Sequence, residues 1–299
     1  MSKKQGSNSG ARGKGKRDDG RGTKVGRDNA GRNAKGRPSH RVNISSAALA
    51  PDSKGRYWMY GKHACFAALA NPCRTIERVQ VTAKMYDEVV AHMSKFSHHQ
   101  VLVEKVEGVQ LASLVREDAH HQGIALRVWP LEDWDISDDD GNATNKSVVM
   151  VLDQVTDPHN VGAIIRSCAA FGAMKIYMTR DNSPVESGSM AKAASGALEL
   201  VEIDYITNLA TQLNELKEEG YWVVGLDGKA DASIADVSSC AKVALVMGAE
   251  GKGMRRLTRE RCDMLVALPI SSHMESLNVS NAAAVALYAI TQAVNNNGG

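Results

Sequence analysis

Residues 148–152 and 243–247 are unbroken apolar runs, VVMVL and VALVM, without the polar alternation of a half-exposed strand. A strand of that kind has to bury both faces, which happens in parallel sheets covered by helices on either side. The same reading places further strands at 175–178, 200–203, 222–226 and 264–268, separated by helix-like stretches. Parallel neighbours cannot be joined by a tight hairpin, so helical crossovers have to fill those gaps. Residues 147–299 are therefore expected to form an α/β domain on a mostly parallel sheet.

Upstream, residues 57–130 alternate on a smaller scale: helix 61–70, strand 76–82, helix 86–95, strand 101–103, helix 108–114 and strand 124–128. That pattern predicts a second, small α/β domain. Between the two, residues 131–146 gather Asp135, Asp138, Asp139, Asp140, Gly141 and Asn142, a polar and turn-rich composition that reads as a linker.

Residues 1–56 read as a tail of another kind. Positions 1–41 hold 13 Lys and Arg, three Asp and nine Gly, giving +10, so a chain of net +2 carries −8 on the rest. With almost no large apolar side chain, the tail cannot offset the entropy of ordering and is expected to be disordered when free. Its spaced cations suit non-specific contact with nucleic-acid phosphates through counterion release, with a merely solubilising tail as the lesser alternative. No apolar segment approaches the roughly 20 residues that span a bilayer, and no apolar stretch follows the N-terminal charges as in a secretory signal. The five cysteines are scattered, with no CxxC, and the paired histidines lack ligand spacing. Neither a disulfide framework nor a metal site is signalled, and a cytoplasmic protein is expected.

Three polar clusters fall at strand ends. Residues 152–173, LDQVTDPHNVGAIIRSCAAFGA, pass from a strand through a turn into a helix, with Asp157, Pro158 and Asn160 supplying turn and cap chemistry. Val161, Ile164, Ile165 and Cys168 form one apolar stripe, and at 100° per residue Arg166 lies about 150° from its centre. Arg166 is thus either a solvated arginine or a cation presented to a site. Residues 245–254, LVMGAEGKGM, place Gly248, Gly251 and Gly253 after an apolar strand, in a spacing that matches no nucleotide-binding fingerprint. Glu250 among them is either a helix cap or an orienting carboxylate. Residues 268–290 run from a strand end through Ser276, Asn278, Ser280 and Asn281 into an Ala-rich helix, offering more polar groups than one N-cap requires. Ligands of open α/β sheets lie beyond the carboxyl ends of strands, where all three clusters fall.

In this order and spacing, DPHNVGAIIRS at 157–167, VMGAEGKGMRRL at 246–257 and SLNVSNA at 276–282 resemble the signature motifs of the SpoU/TrmH family of RNA ribose 2′-O-methyltransferases, in the SPOUT superfamily. YGKHA at 60–64 and HQGI at 121–124 resemble the ends of the small, ribosomal-protein-like RNA-binding domain that many members carry. Residues 190–199, together with the second motif, are most similar to bacterial enzymes that methylate a guanosine ribose of large-subunit ribosomal RNA. The basic tail is a departure from the family.

The resemblance implies a trefoil-knotted domain that binds S-adenosylmethionine, acts as a homodimer and needs no metal. It assigns Gly248, Leu268 and Leu277 to the cofactor pocket, with Met247 and Ile270 as neighbours, and Asn160, Arg166, Glu250, Ser276 and Asn278 to catalytic or site-forming positions. The implied reaction is methylation of a ribose 2′-hydroxyl in ribosomal RNA; the alternatives are a tRNA ribose methyltransferase or a non-catalytic RNA-binding protein on the same fold. A ribose hydroxyl is a poor nucleophile at neutral pH, so the transfer needs a cation where the alkoxide develops. Arg166 fits that electrostatic role; with a pKa above about 12, it is not a ready proton acceptor.

Overall fold

The computed structural model describes residues 51–98, 100–115, 120–131, 147–237 and 241–296. The expectations for residues 1–50, for the linker at 132–146, for His99 and for Cys240 lie outside them. In chain order, the small unit is β1 (Tyr57–Tyr60), α1 (Lys62–Ala70), β2 (Ile76–Val81), α2 (Ala83–Met93), β3 (Val103–Lys105), α3 (Gly108–Leu114) and β4 (Ile124–Val128). Its four-stranded sheet has the order β1-β4-β2-β3. Strand β4 is antiparallel to both β1 and β2, while β2 and β3 are parallel.

The larger unit continues with β5 (Ser147–Asp153), α4 (Pro158–Phe171), β6 (Lys175–Thr179), α5 (Gly188–Ala194), β7 (Glu202–Ile206), α6 (Leu209–Glu218) and β8 (Trp222–Leu226). It closes with β9 (Ala232–Ser233), β10 (Lys242–Gly248), α7 (Arg256–Arg261), β11 (Met264–Ala267) and α8 (Val279–Asn296). The seven strands follow the order β7-β6-β5-β10-β8-β11-β9, and every pairing among them is parallel. The two unbroken apolar runs lie side by side at its centre, with Leu152 opposite Met247 and Asp153 opposite Gly248. Both faces of β5 are covered: Val148, Met150 and Leu152 join one core cluster, Val149 and Val151 another. Alternate side chains of a pleated strand leave on opposite faces, so such a run requires two separate apolar layers.

Several local expectations shift. Residues 57–60, where the sequence pattern marks only the start of the small domain, form strand β1. The strand expected at 200–203 begins at Glu202, because Ala197–Glu199 is a 3-10 turn whose bonds take up the preceding residues. The strand expected at 101–103 is displaced to Val103–Lys105, where pairing with Val79–Val81 is available, and α2 starts three residues early, after Thr82. The tail expected to run to residue 56 ends sooner. Asp52 accepts hydrogen bonds from the backbone N–H groups of Lys54 and Arg56 and from the Arg56 and Arg127 guanidinium groups, which ties this stretch to β4.

Candidate active site

The first cluster folds as a strand, a turn and a helix because each junction is capped. Asp157 is the N-cap of α4: its carboxylate accepts from the N–H groups of His159 and Asn160, at 3.3 and 3.1 Å, and Pro158 fills the first helical position. The third cluster uses the same chemistry at α8. Asn278 Oδ1 accepts from the N–H groups of Ser280 and Asn281, at 2.9 and 3.4 Å, and from the Ser280 hydroxyl at 2.6 Å. Its amide nitrogen is left over. Nδ2 donates to Asn160 Oδ1 at 3.0 Å, across 118 residues of sequence, and joins the starts of the two helices.

The second cluster is a loop folded back on itself. Ala249 and Gly253 exchange backbone hydrogen bonds of 3.1 and 2.8 Å, which closes the turn after β10. A Cβ on Gly248 would stand 2.2 Å from the carbonyl carbon of Gly253 and from the nitrogen of Met254. Here glycine is required by the loop's own backbone rather than by a ligand. The loop is then fastened to the neighbouring strand, where Asp153, fully buried at the end of β5, accepts from the Arg255 N–H at 2.8 Å and from Arg255 Nε at 2.6 Å.

The three clusters share one polar cavity of about 330 Å³, lined by Thr156, Asp157 and Asn160 from the first, Ala249, Glu250 and Lys252 from the second, and Val279 from the third. Asn160 and Glu250 therefore face a common space, with Asn278 bonded at its edge. Ser276 is exposed on the loop leading to α8. Arg166 is exposed, as its angle on the helix requires, and has no ion-pair partner among the described residues. It is nevertheless apart from the others. Six residues beyond Asn160, it stands about 9 Å further along the helix axis and rotated by about 120°. There it lines a different cavity, of about 650 Å³, between α1, α4 and the turn at Ala197–Glu199. Arg166 and the pair Asn160 and Glu250 thus line separate cavities of this chain.

Of the cofactor positions, Met247 is a core side chain and Leu268 packs partly against the core. Ile270 and Leu277 are 40% and 37% exposed, two aliphatic side chains with apolar surface left to cover. Sequence reasoning missed Asp153, Arg255 and Lys252. An acidic residue closing an otherwise apolar central strand was the available signal for Asp153.

Two family profiles match the chain: SpoU rRNA Methylase family at residues 147–288, and RNA 2'-O ribose methyltransferase substrate binding at residues 58–134. Similar relatives include the 23S rRNA (guanosine-2'-O-)-methyltransferase RlmB of Vibrio cholerae, 37% identical over 233 residues, covering 77% of this chain and 94% of that protein. RlmB of Escherichia coli is 36% identical over 232 residues, covering 77% of this chain and 96% of its own length. Among solved structures, the SpoU methyltransferase AviRb from Streptomyces viridochromogenes, in complex with AdoMet, superposes with a TM-score of 0.67 at 20% identity, over 82% of this chain and 94% of that one. An RNA 2'-O ribose methyltransferase superposes equally well, at 22% identity over 85% and 96%. Those structures share the fold, and the identity and coverage of the relatives settle the family: the chain belongs to the SpoU rRNA methylase family.

Proposed function

We propose that this protein transfers the methyl group of S-adenosylmethionine to the 2′-hydroxyl of a guanosine ribose in 23S ribosomal RNA. The observation that carries the reading is the Asn278–Asn160 hydrogen bond, with the polar cavity beside it that all three clusters line. It makes one site of segments far apart in sequence, beyond the ends of β5, β10 and β11.

The residues present fit the cofactor. Ile270 and Leu277 offer apolar surface for a purine. Bound S-adenosylmethionine supplies a methyl group on a sulfonium, which departs without its bonding electrons and needs no metal. In this reading Gly248, Leu268, Ile270 and Leu277 shape the cofactor pocket, with Met247 supporting it from the core. Asn160 and Asn278 hold the loops and the ribose, Glu250 orients a cationic or hydroxyl partner, and Ser276 contributes a hydroxyl at the loop. Arg166 stabilises the oxygen as negative charge develops and grips the neighbouring phosphate with its planar fork.

The proposed assembly is a homodimer. Its support is the separation of Arg166 from Asn160 along α4, a gap that a second copy can close by presenting its own arginine. The proposal also includes a trefoil knot in the 147–299 domain, RNA capture by residues 57–130 with help from the basic tail, and action in the cytoplasm. Mapping 2′-O-methyl groups in ribosomal RNA from cells with and without the gene tests the reading. One guanosine in 23S RNA should lose its methyl group. A loss confined to tRNA, or no loss, would overturn it.

A further inference from the structure

A buried ionic cluster joins the two units, and the proposed chemistry makes no use of it. Arg74, just after α1, has a fully buried side chain between Glu186 and Glu199 of the larger unit. Its Nη1 donates to Glu186 Oε2 at 2.9 Å and to the carbonyl of Trp129 at 2.8 Å. Its Nη2 and Nε donate to Glu199 Oε1 at 2.6 and 3.0 Å. The second negative charge is met by neutral donors. The Tyr57 hydroxyl reaches Glu186 Oε2 at 2.9 Å, the Leu131 N–H reaches Glu186 Oε1 at 3.2 Å, and Asn71 Nδ2 reaches Glu199 Oε2 at 2.8 Å. Burial alone would push Arg74 toward losing its proton, but the facing carboxylates win and hold it firmly cationic. Burial raises the Tyr57 hydroxyl well above its ordinary range, so it remains a donor.

The surrounding packing agrees. A Cβ on Gly188, at the start of α5, would stand 2.2 Å from the Trp58 carbonyl oxygen, so α5 lies directly on β1. Lys192, on the same helix, donates to Gln122 Oε1 at 2.6 Å. One apolar cluster runs without a break from Met59, Ala64 and Ala68 to Ala191, Ala194 and Ala197.

We propose that the Arg74–Glu186–Glu199 cluster locks the small domain onto the methyltransferase domain as one rigid body, and that Arg74 is a positioning residue for target selection. A guanidinium fork satisfied on several sides has one low-energy pose, and slippage would strand buried carboxylates without partners. Asn71 and Glu199 also line the cavity that Arg166 faces, so the lock sets the shape of the wall beside that cation. RNA gripped by the small domain then reaches Arg166 at a fixed distance and angle.

The inference rests on the methyltransferase reading only for its activity readout. Residual dipolar couplings on the labelled full chain should fit a single alignment tensor across residues 57–131 and 147–296; a need for two tensors would overturn the lock. The combined variant Arg74→Met, Glu186→Gln, Glu199→Gln removes the charges together, so that none is left buried and unpaired. It should separate the tensors, leave S-adenosylmethionine affinity unchanged and lower kcat/KM for RNA on the order of a hundredfold, as expected of a misplaced reacting group. Arg74→Lys should not rescue activity, since one ammonium cannot reach all these acceptors. A combined variant that methylates like wild type overturns the positioning role, and if that variant does not fold, the wild-type couplings alone decide. Inactive wild type with a single tensor would sink the methyltransferase reading and leave the lock standing.

Discussion

Gly248→Ala tests the turn that follows β10, which the proposed function assigns to the cofactor pocket. The added Cβ would lie 2.2 Å from two backbone atoms, Gly253 C and Met254 N. Non-bonded carbons rest about 3.5 Å apart, so residues 253–254 must retreat by about 1.3 Å. That retreat breaks both Ala249–Gly253 hydrogen bonds and pulls the Arg255 N–H from Asp153. Two neutral bonds at about 1 kcal/mol each and one to a carboxylate at about 2 kcal/mol put the cost of keeping the loop closed near 4 kcal/mol. Leaving the loop open forfeits the same bonds, so the fold loses up to about 4 kcal/mol and the thermal midpoint should fall by roughly 10 °C. Binding must then close the loop, and about 4 kcal/mol lowers affinity by up to about a thousandfold. Gly251→Ala is the control: its φ of +76° strains an alanine, but nothing lies within 4 Å of the new Cβ. It should cost about 1–2 kcal/mol, and affinity should fall far less. Calorimetric titration with S-adenosylmethionine, beside thermal melts, reads all of this. Wild-type affinity in Gly248→Ala would refute the fold-back argument.

Other consequences follow from single features. Arg166→Ala should leave stability within about 0.5 kcal/mol and cofactor affinity unchanged, while single-turnover methylation falls a hundredfold or more, on the order expected for a lost charge stabiliser; Arg166→Lys should recover little, and a wild-type rate in the alanine variant would return Arg166 to the solvated surface. Deleting residues 1–41 removes a net charge of +10 and should weaken RNA binding and flatten its salt dependence while S-adenosylmethionine affinity stays unchanged; an unchanged slope of log K against log salt would reduce the tail to a solubility device. Burial, with the charge of His120, lowers the His121 pKa below its ordinary 6.5, and its Nδ1 accepts the Gly123 N–H at 3.0 Å, which requires the neutral ring. The stability it contributes is present above pH 6.5 and lost as pH falls through the lowered pKa, so melts of wild type against His121→Gln should diverge on acidification from pH 7, and parallel curves would refute the assignment.

What was legible in the sequence was local. An apolar run such as 148–152 dictates a doubly covered strand wherever it lies in the chain, and Asp157 or Asn278 ahead of a helix signals its start within a few residues. The surplus of polar groups at 276–281 was legible as well, and its use is the bond from Asn278 to Asn160. The pairs that hold the molecule together had no such signature. Arg74 is separated by 112 residues from Glu186 and by 125 from Glu199, and each reads alone as an ordinary surface charge. Only a fold that encloses all three turns them from solvated ions into a buried joint. Asp153 and Arg255, 102 residues apart, follow the same logic. Arg166 lies between these cases. Helical periodicity yields its exposure, because the angle from the apolar stripe is a property of one helix. Its company depends on what packs beside that helix, and α1 and the turn at Ala197–Glu199 occupy that side. A catalytic constellation inferred from motif order therefore requires a further condition, that its members project in converging directions. Asn160, Glu250 and Asn278 meet it within one chain, whereas Arg166 projects into a different cavity.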